Sequence, residues 1–222
     1  MFAVKNSSDE LLVFYDAPKN ASTTVKKLFI DHLKLSDKYD FYGEQYIDLD
    51  TGKRVDNLEN SAEYKKQKGT PTNKDFHDFA KNTGFSSISH EVKCSKICVV
   101  RQPLDRFISC YNHLVLVNKE MEFTPDEILD QVAEGKQRSN HFLPQTEFLG
   151  TNPHYYDKIY NVKQLDILEK DLNVFFNERK KVMHYQTSGS SVEFPRELDK
   201  DFRDKVHEVY KSDYKAFGEY FK

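Results

Sequence analysis

No glycine occurs between Met1 and Tyr42. The usual nucleoside-triphosphate loop, G-x-x-x-x-G-K-[ST], needs two glycines, so that motif is excluded from the first βα junction. Cysteine is scarce and odd in number, three residues, which gives no set for a disulfide framework. No run of eighteen apolar residues exists, so no segment reads as a transmembrane helix. The N-terminus reaches its first strand by Leu11, which leaves no length for a signal peptide or anchor. The expected setting is therefore a soluble chain in the reducing cytoplasm, with no membrane partner. A net charge of -3 excludes a generic polyanion binder; no nucleic-acid partner is expected, and any grip on phosphate must be local. The 222 residues are enough for one domain, 1–222, with a proper core.

The chain is organised around Leu11 to Leu33. Leu11-Leu12-Val13-Phe14-Tyr15 is a short apolar and aromatic run, read as a buried strand. A polar turn from Asp16 to Thr24 follows, and Val25, Leu28, Phe29 and Leu33 then recur at the spacing of one helix face. Strand, small-residue loop and helix aim free backbone N–H groups at an anion, with the helix dipole behind them. Lys19, Ser22, Thr23 and Thr24 add a cation and three hydroxyls. The plainer reading is a βα turn with Ser22 or Thr23 as helix N-cap. Asn20-Ala21-Ser22 also spells an N-glycosylation acceptor, whose glycan would block an anion, in keeping with a chain outside the secretory route.

A second constellation is Val99-Val100-Arg101-Gln102-Pro103-Leu104-Asp105-Arg106-Phe107-Ile108-Ser109-Cys110-Tyr111. Lys96 to Arg101 reads as a strand buried on both faces, and Pro103 begins a helix where its missing N–H costs nothing. Arg101 then leaves the carboxyl edge at which open α/β sheets bind ligands. Arg106 and Ser109, three apart, are neighbours on the helix, and a guanidinium with a hydroxyl suits a phosphate monoester.

Pro18-Lys19-x-Ala21-Ser22-Thr23-Thr24 resembles the 5′-phosphosulfate loop of sulfotransferases that use 3′-phosphoadenosine 5′-phosphosulfate (PAPS). R-x-P-x-x-R-x-x-S-x-Y, here Arg101 to Tyr111, resembles the loop that holds the 3′-phosphate of the same donor. The nearest likeness is to the carbohydrate branch, which includes the heparan 2-O and chondroitin sulfotransferases. Asn140-His141-Phe142-x-Pro144-Gln145, Leu168-x-x-Asp171-Leu172 and Tyr210-x-x-Asp213-Tyr214 extend it more faintly. The resemblance implies a P-loop-NTPase-like three-layer α/β fold with a central, mostly parallel sheet flanked by helices. It implies PAPS as co-substrate with no metal required, and a hydroxylated acceptor, a glycan by branch. Lys19, Asn20, Ala21, Ser22, Thr23 and Thr24 would hold the 5′ end, Arg101 and Ser109 the 3′-phosphate, and Arg106 would be structural. Lys19 would also stabilise the leaving oxygen. The general base is expected to be His90, with His77, Glu91 and His141 left open. A P-loop kinase, or a nucleotide-binding protein without sulfuryl transfer, is the alternative.

The remaining elements follow from pattern. Met1 to Glu10 reads as a polar lead-in, Tyr39 to Ile47 as a strand, and 48–75 as a loop insertion with a short helix near Asn60 to Lys66. Phe76 to Lys81 reads as a helix and Phe85 to His90 as a strand. Helices are expected from Thr124 or Pro125 to Ala133, over Gln164 to Phe176, and, long and amphipathic, over Arg196 to Phe217; Lys158 to Val162 is expected as a strand. By the same resemblance Lys180 to Val192 is the candidate adenine loop, a flexible linker before the last helix being the other reading. Cys94, Cys98 and His90 lack a fourth ligand, so no metal site is expected.

Overall fold

The apolar run Leu11–Tyr15 forms strand β2, and all five of its side chains are buried. The computed structural model describes residues 2–8, 10–32, 34, 39–42, 45–48, 54–55, 94–180 and 193–222. The helix near Asn60, the helix 76–81, the strand 85–90, nearly all of the loop insertion and residues 181–192 of the candidate adenine loop lie outside the described residues, as do His77, His90 and Glu91.

Strand β1 (Phe2–Lys5) pairs antiparallel with β2, so the expected lead-in is an edge strand. Its pairing is a backbone property that composition does not carry. Helix α1 (Ser22–His32) follows β2. Strands β3 (Tyr39–Tyr42), β4 (Gln45–Asp48) and β5 (Arg54–Val55) make a small antiparallel sheet. Strand β6 (Ser95–Val100) lies beside β2, parallel to it, and β7 (Lys158–Asn161) lies on the far side of β6. The order is β1-β2-β6-β7, with a three-strand parallel core flanked by helices, an α/β fold of the expected P-loop-like kind. In the β2–β6 register Tyr15 faces Cys98, so the carboxyl ends of both strands open on one edge.

Among the described residues the chain groups into two compact units. The first comprises 1–16, 21–99 and 154–185. Its core packs Leu12, Phe14, Ile97 and Val99 of the sheet against Val25, Leu28 and Phe29 of α1 and against Leu165, Leu168, Leu172 and Phe176 of α5 (Leu165–Phe176). Each such side chain contributes roughly 1.5–3 kcal/mol by leaving water. Near the end of β2, the Tyr15 and Tyr155 hydroxyls meet at 2.6 Å.

The second unit comprises 17–20, 100–153 and 186–222. Helix α2 (Pro103–Tyr111) has Pro103 in its first turn and is capped by Gln102, whose side chain accepts from Asp105 N–H at 3.0 Å. It runs on as a π-helical stretch, Asn112–Val117. Helix α3 (Pro125–Ala133) starts with a capping box between Thr124 and Glu127, as the Thr-Pro pair predicts. A four-residue helix α4 covers Thr146–Leu149. The expected long terminal helix is instead two: α6 (Lys200–Val209) and α7 (Lys211–Phe217). Asp199 sets the start of α6 by accepting from Phe202 N–H at 2.8 Å, and Tyr210 breaks the run at φ -103°, ψ 25°. Phe107 sits at the centre of this unit's core, with the rings of Phe142, Phe202 and Tyr210 around it.

His32, at the end of α1, is buried and stacked on Phe176 with ring centroids 4.5 Å apart. Neither ring nitrogen has a hydrogen-bond partner among the described residues. Burial pulls its pKa down to about 4, against Glu178. The unfolded chain therefore binds the extra proton between roughly pH 6.5 and 4, so the stability held above that window is lost as pH falls through it. His32→Leu should flatten the decline of the melting temperature over that range, and a decline as steep as wild type would remove His32 as its source.

Candidate active site

The turn after β2 is strained. Lys19 and Ala21 adopt φ of 64° and 60°, the left-handed region that costs a non-glycine residue roughly 1–2 kcal/mol. Here the absence of glycine has a structural consequence. The conformation must be imposed from outside, and bonds within the second unit do so. Asn20 N–H closes a turn on Ala17 C=O at 3.2 Å. Arg106 Nε donates to Pro18 C=O at 3.0 Å, and Arg101 Nη1 donates to Lys19 C=O at 3.3 Å. The Asn20 side chain is buried, and its Nδ2 donates to Gln145 Oε1 at 2.8 Å.

Past the turn, Val25 N–H makes the first i→i−4 bond of α1, to Ala21 C=O at 3.1 Å. Ser22, Thr23 and Thr24 precede it in the first turn. Helix α1 begins at Ser22, so Ser22 and Thr23 stand in its first turn and are not its N-cap. Thr24 is buried; Ser22 and Thr23 are half-buried. Asp16, which opens the turn, pairs with Lys26 at 2.6 Å. Burial alone would raise its pKa, but positive charge around it, Lys26 included, holds the carboxyl well below the usual range.

Arg101 leaves the end of β6, as expected. Burial draws its guanidinium below the ordinary range, with Asp105 opposing and Arg106 reinforcing. Its Nε has no hydrogen-bond partner among the described residues. A cation so placed favours an incoming anion, which restores the solvation it has lost. Arg106 is buried and donates to two backbone carbonyls, Pro18 and Leu143, the latter at 2.7 Å, while its Nη2 has no hydrogen-bond partner among the described residues. Ser109 lies half-buried two turns into α2. Burial raises the Cys110 thiol, while Arg106, Lys19 and Arg101 all act to lower it, so three cations bear on one point of α2. A chain of net charge -3 thus carries a local positive site.

Of the candidate bases only His141 is described: half-buried on a 3₁₀ turn, Asn140–Phe142, where its C=O accepts from Cys110 Sγ at 2.9 Å. Two polar residues with no role assigned from sequence are fully buried here, Gln145 and Asp213. The Gln145 side chain accepts from Arg101 N–H at 3.3 Å and donates to Arg101 C=O at 2.9 Å. Asp213, on α7, accepts from the N–H groups of Gln145 and Thr146 at 3.0 and 2.9 Å, and from the Thr146 hydroxyl at 3.0 Å. Burial raises its pKa, against those hydrogen bonds. The available signal was a carboxylate on the apolar stripe of the last helix, between Tyr210 and Phe217. Among the described residues no group of three or more His, Cys, Asp or Glu side chains could hold a metal ion, and no helix is long and apolar enough to cross a membrane.

Asp213→Asn leaves one acceptor oxygen where two now serve three donors. It should destabilise the fold by about 1–3 kcal/mol, seen as a lower urea midpoint at unchanged slope. An unchanged midpoint would show that these bonds contribute nothing net.

Comparison with protein-family models gives a match over residues 4–221, to the model described as the sulfotransferase family. No curated protein and no solved structure matches the chain.

Proposed function

The chain belongs to the sulfotransferase family, and from that membership we propose that it takes its sulfuryl group from PAPS and passes it to a hydroxyl of a carbohydrate. The observation that carries this reading is the bond from Arg101 Nη1 to Lys19 C=O at 3.3 Å, which ties the lysine of the first motif to the arginine of the second within one unit. The partly desolvated Arg101, its Nε without a partner among the described residues, suits a phosphate. The donor supplies a sulfuryl group on a phosphate leaving group.

Sulfuryl transfer, like phosphoryl transfer, passes through a loose in-line transition state, so positioning and charge stabilisation dominate. In this reading Arg101 and Ser109 hold the 3′-phosphate. The first-turn N–H groups and hydroxyls of Ser22, Thr23 and Thr24 hold the 5′ end, beside the backbone of Asn20 and Ala21. Lys19 neutralises the charge that grows on the departing oxygen. His90 takes the proton of the acceptor hydroxyl, with His77, Glu91 and His141 as the other candidates. The carbohydrate acceptor rests on the likeness of the motifs to that branch.

Adenosine 3′,5′-bisphosphate without magnesium should raise the melting temperature; a response only to ATP with magnesium would overturn the reading in favour of a kinase. Lys19→Ala should keep that shift and lose about a hundredfold or more in turnover, whereas Arg101→Ala should lose most of the shift. Wild-type turnover in Lys19→Ala would remove the proposed chemistry. His90→Ala should abolish transfer at unchanged nucleotide affinity, and retained transfer would reassign the base.

A further inference from the structure

The side-chain amide of Gln145 behaves as a piece of strand backbone. Its Oε1 and Nε2 engage the N–H and C=O of one residue, Arg101, where β6 ends. The donor and acceptor of that peptide pair fix which way the amide points. The same Oε1 accepts from Asn20 Nδ2, next to Lys19 in the strained turn. Gln145 itself is held from behind: its N–H donates to the buried Asp213 carboxylate, and Asp213 also takes the next N–H, that of Thr146. Gln145 is wholly buried and has no path to a ligand.

We infer that Gln145 is a positioning residue for the donor nucleotide: it sets the Lys19 turn and the Arg101 strand end in register, so that the grips on the two ends of one nucleotide form together. This deepens the proposed function and rests on it. The physical argument concerns what else could hold the register. Arg101 and Arg106 reach the turn from guanidinium groups, at 3.3 Å to Lys19 C=O and 3.0 Å to Pro18 C=O, whereas Gln145 joins the turn, through Asn20 at 2.8 Å, to both polar groups of the Arg101 peptide through one rigid planar amide with no solvent to compete. A misplacement of either grip by about 1 Å costs binding and rate far more than it costs fold stability.

The test is calorimetric titration of adenosine 3′,5′-bisphosphate into the full chain, well below its melting temperature. Gln145→Met removes the three side-chain bonds without changing charge and nearly preserves shape. It should weaken binding about tenfold or more, and its combination with Arg101→Ala should fall short of the product of the two single effects by at least about threefold, because the two act through one another. A purely structural residue would lower the melting temperature and leave both quantities alone; unchanged affinity in folded Gln145→Met, or a fully multiplicative double variant, overturns the inference. Should Gln145→Met not fold, Asn20→Ala breaks one bond of the bridge and should weaken binding about three- to fivefold; unchanged affinity there overturns it equally. Failure of the wild-type chain to bind the nucleotide would refute the donor reading itself, a result seen before any variant is made.

Discussion

A turn in left-handed backbone, made without glycine, is the constraint on which the candidate site depends. At Lys19 the φ of 64° is disfavoured for any residue with a Cβ, and it persists because neighbouring groups over-determine it. Pro18 C=O is taken by Arg106, Lys19 C=O by Arg101, and the Asn20 side chain by Gln145. The glycine-rich loop of nucleotide triphosphatases reaches such shapes by intrinsic freedom. Here the freedom is replaced by anchoring: two of the anchors come from the Arg101–Tyr111 motif and the third from Gln145.

Charge is handled in the same local way. Arg106 is buried and donates from Nε and Nη1 to two backbone carbonyls, with Nη2 lacking a hydrogen-bond partner among the described residues, and burial leaves it unavailable as a surface cation. Arg101 is only partly satisfied, and burial presses on its charge. The two arginines of one short motif therefore do different work, and exposure together with hydrogen-bond count separates them. With Lys19 they produce a positive site on a chain whose overall charge is negative.

The break at Tyr210 serves the same region. A continuous helix from Arg196 would carry Asp213 on a different bearing. The interruption lets the Tyr210 hydroxyl donate to Phe142 C=O at 2.7 Å while Asp213 receives Gln145 and Thr146. The two ends of the 142–146 segment are thus tied to one helix pair. The resulting buried network is satisfied at Asp213 by three donors, which is the condition under which a buried carboxylate orders its surroundings at tolerable cost.

Much of this was legible in the chain itself. The strand Leu11–Tyr15, the helix after it, the strand ending at Val100 and the Pro103 helix were readable because hydrophobic period and proline chemistry are local properties, and with them came the two motifs and the family. The edge strand at Phe2 and the break at Tyr210 were not readable, since strand pairing and a mid-helix dihedral answer to neighbours far along the chain. Nor could a role be given to Gln145, although it ends a stretch that resembles the family. Its function as a bridge exists only once Asn20, Arg101 and Asp213, distant in sequence, are folded around it, where water no longer competes for the same bonds. Residue types and their spacing determined the family and the strands and helices that carry its two motifs; tertiary packing alone decided which polar groups are buried, and so which of them set the geometry.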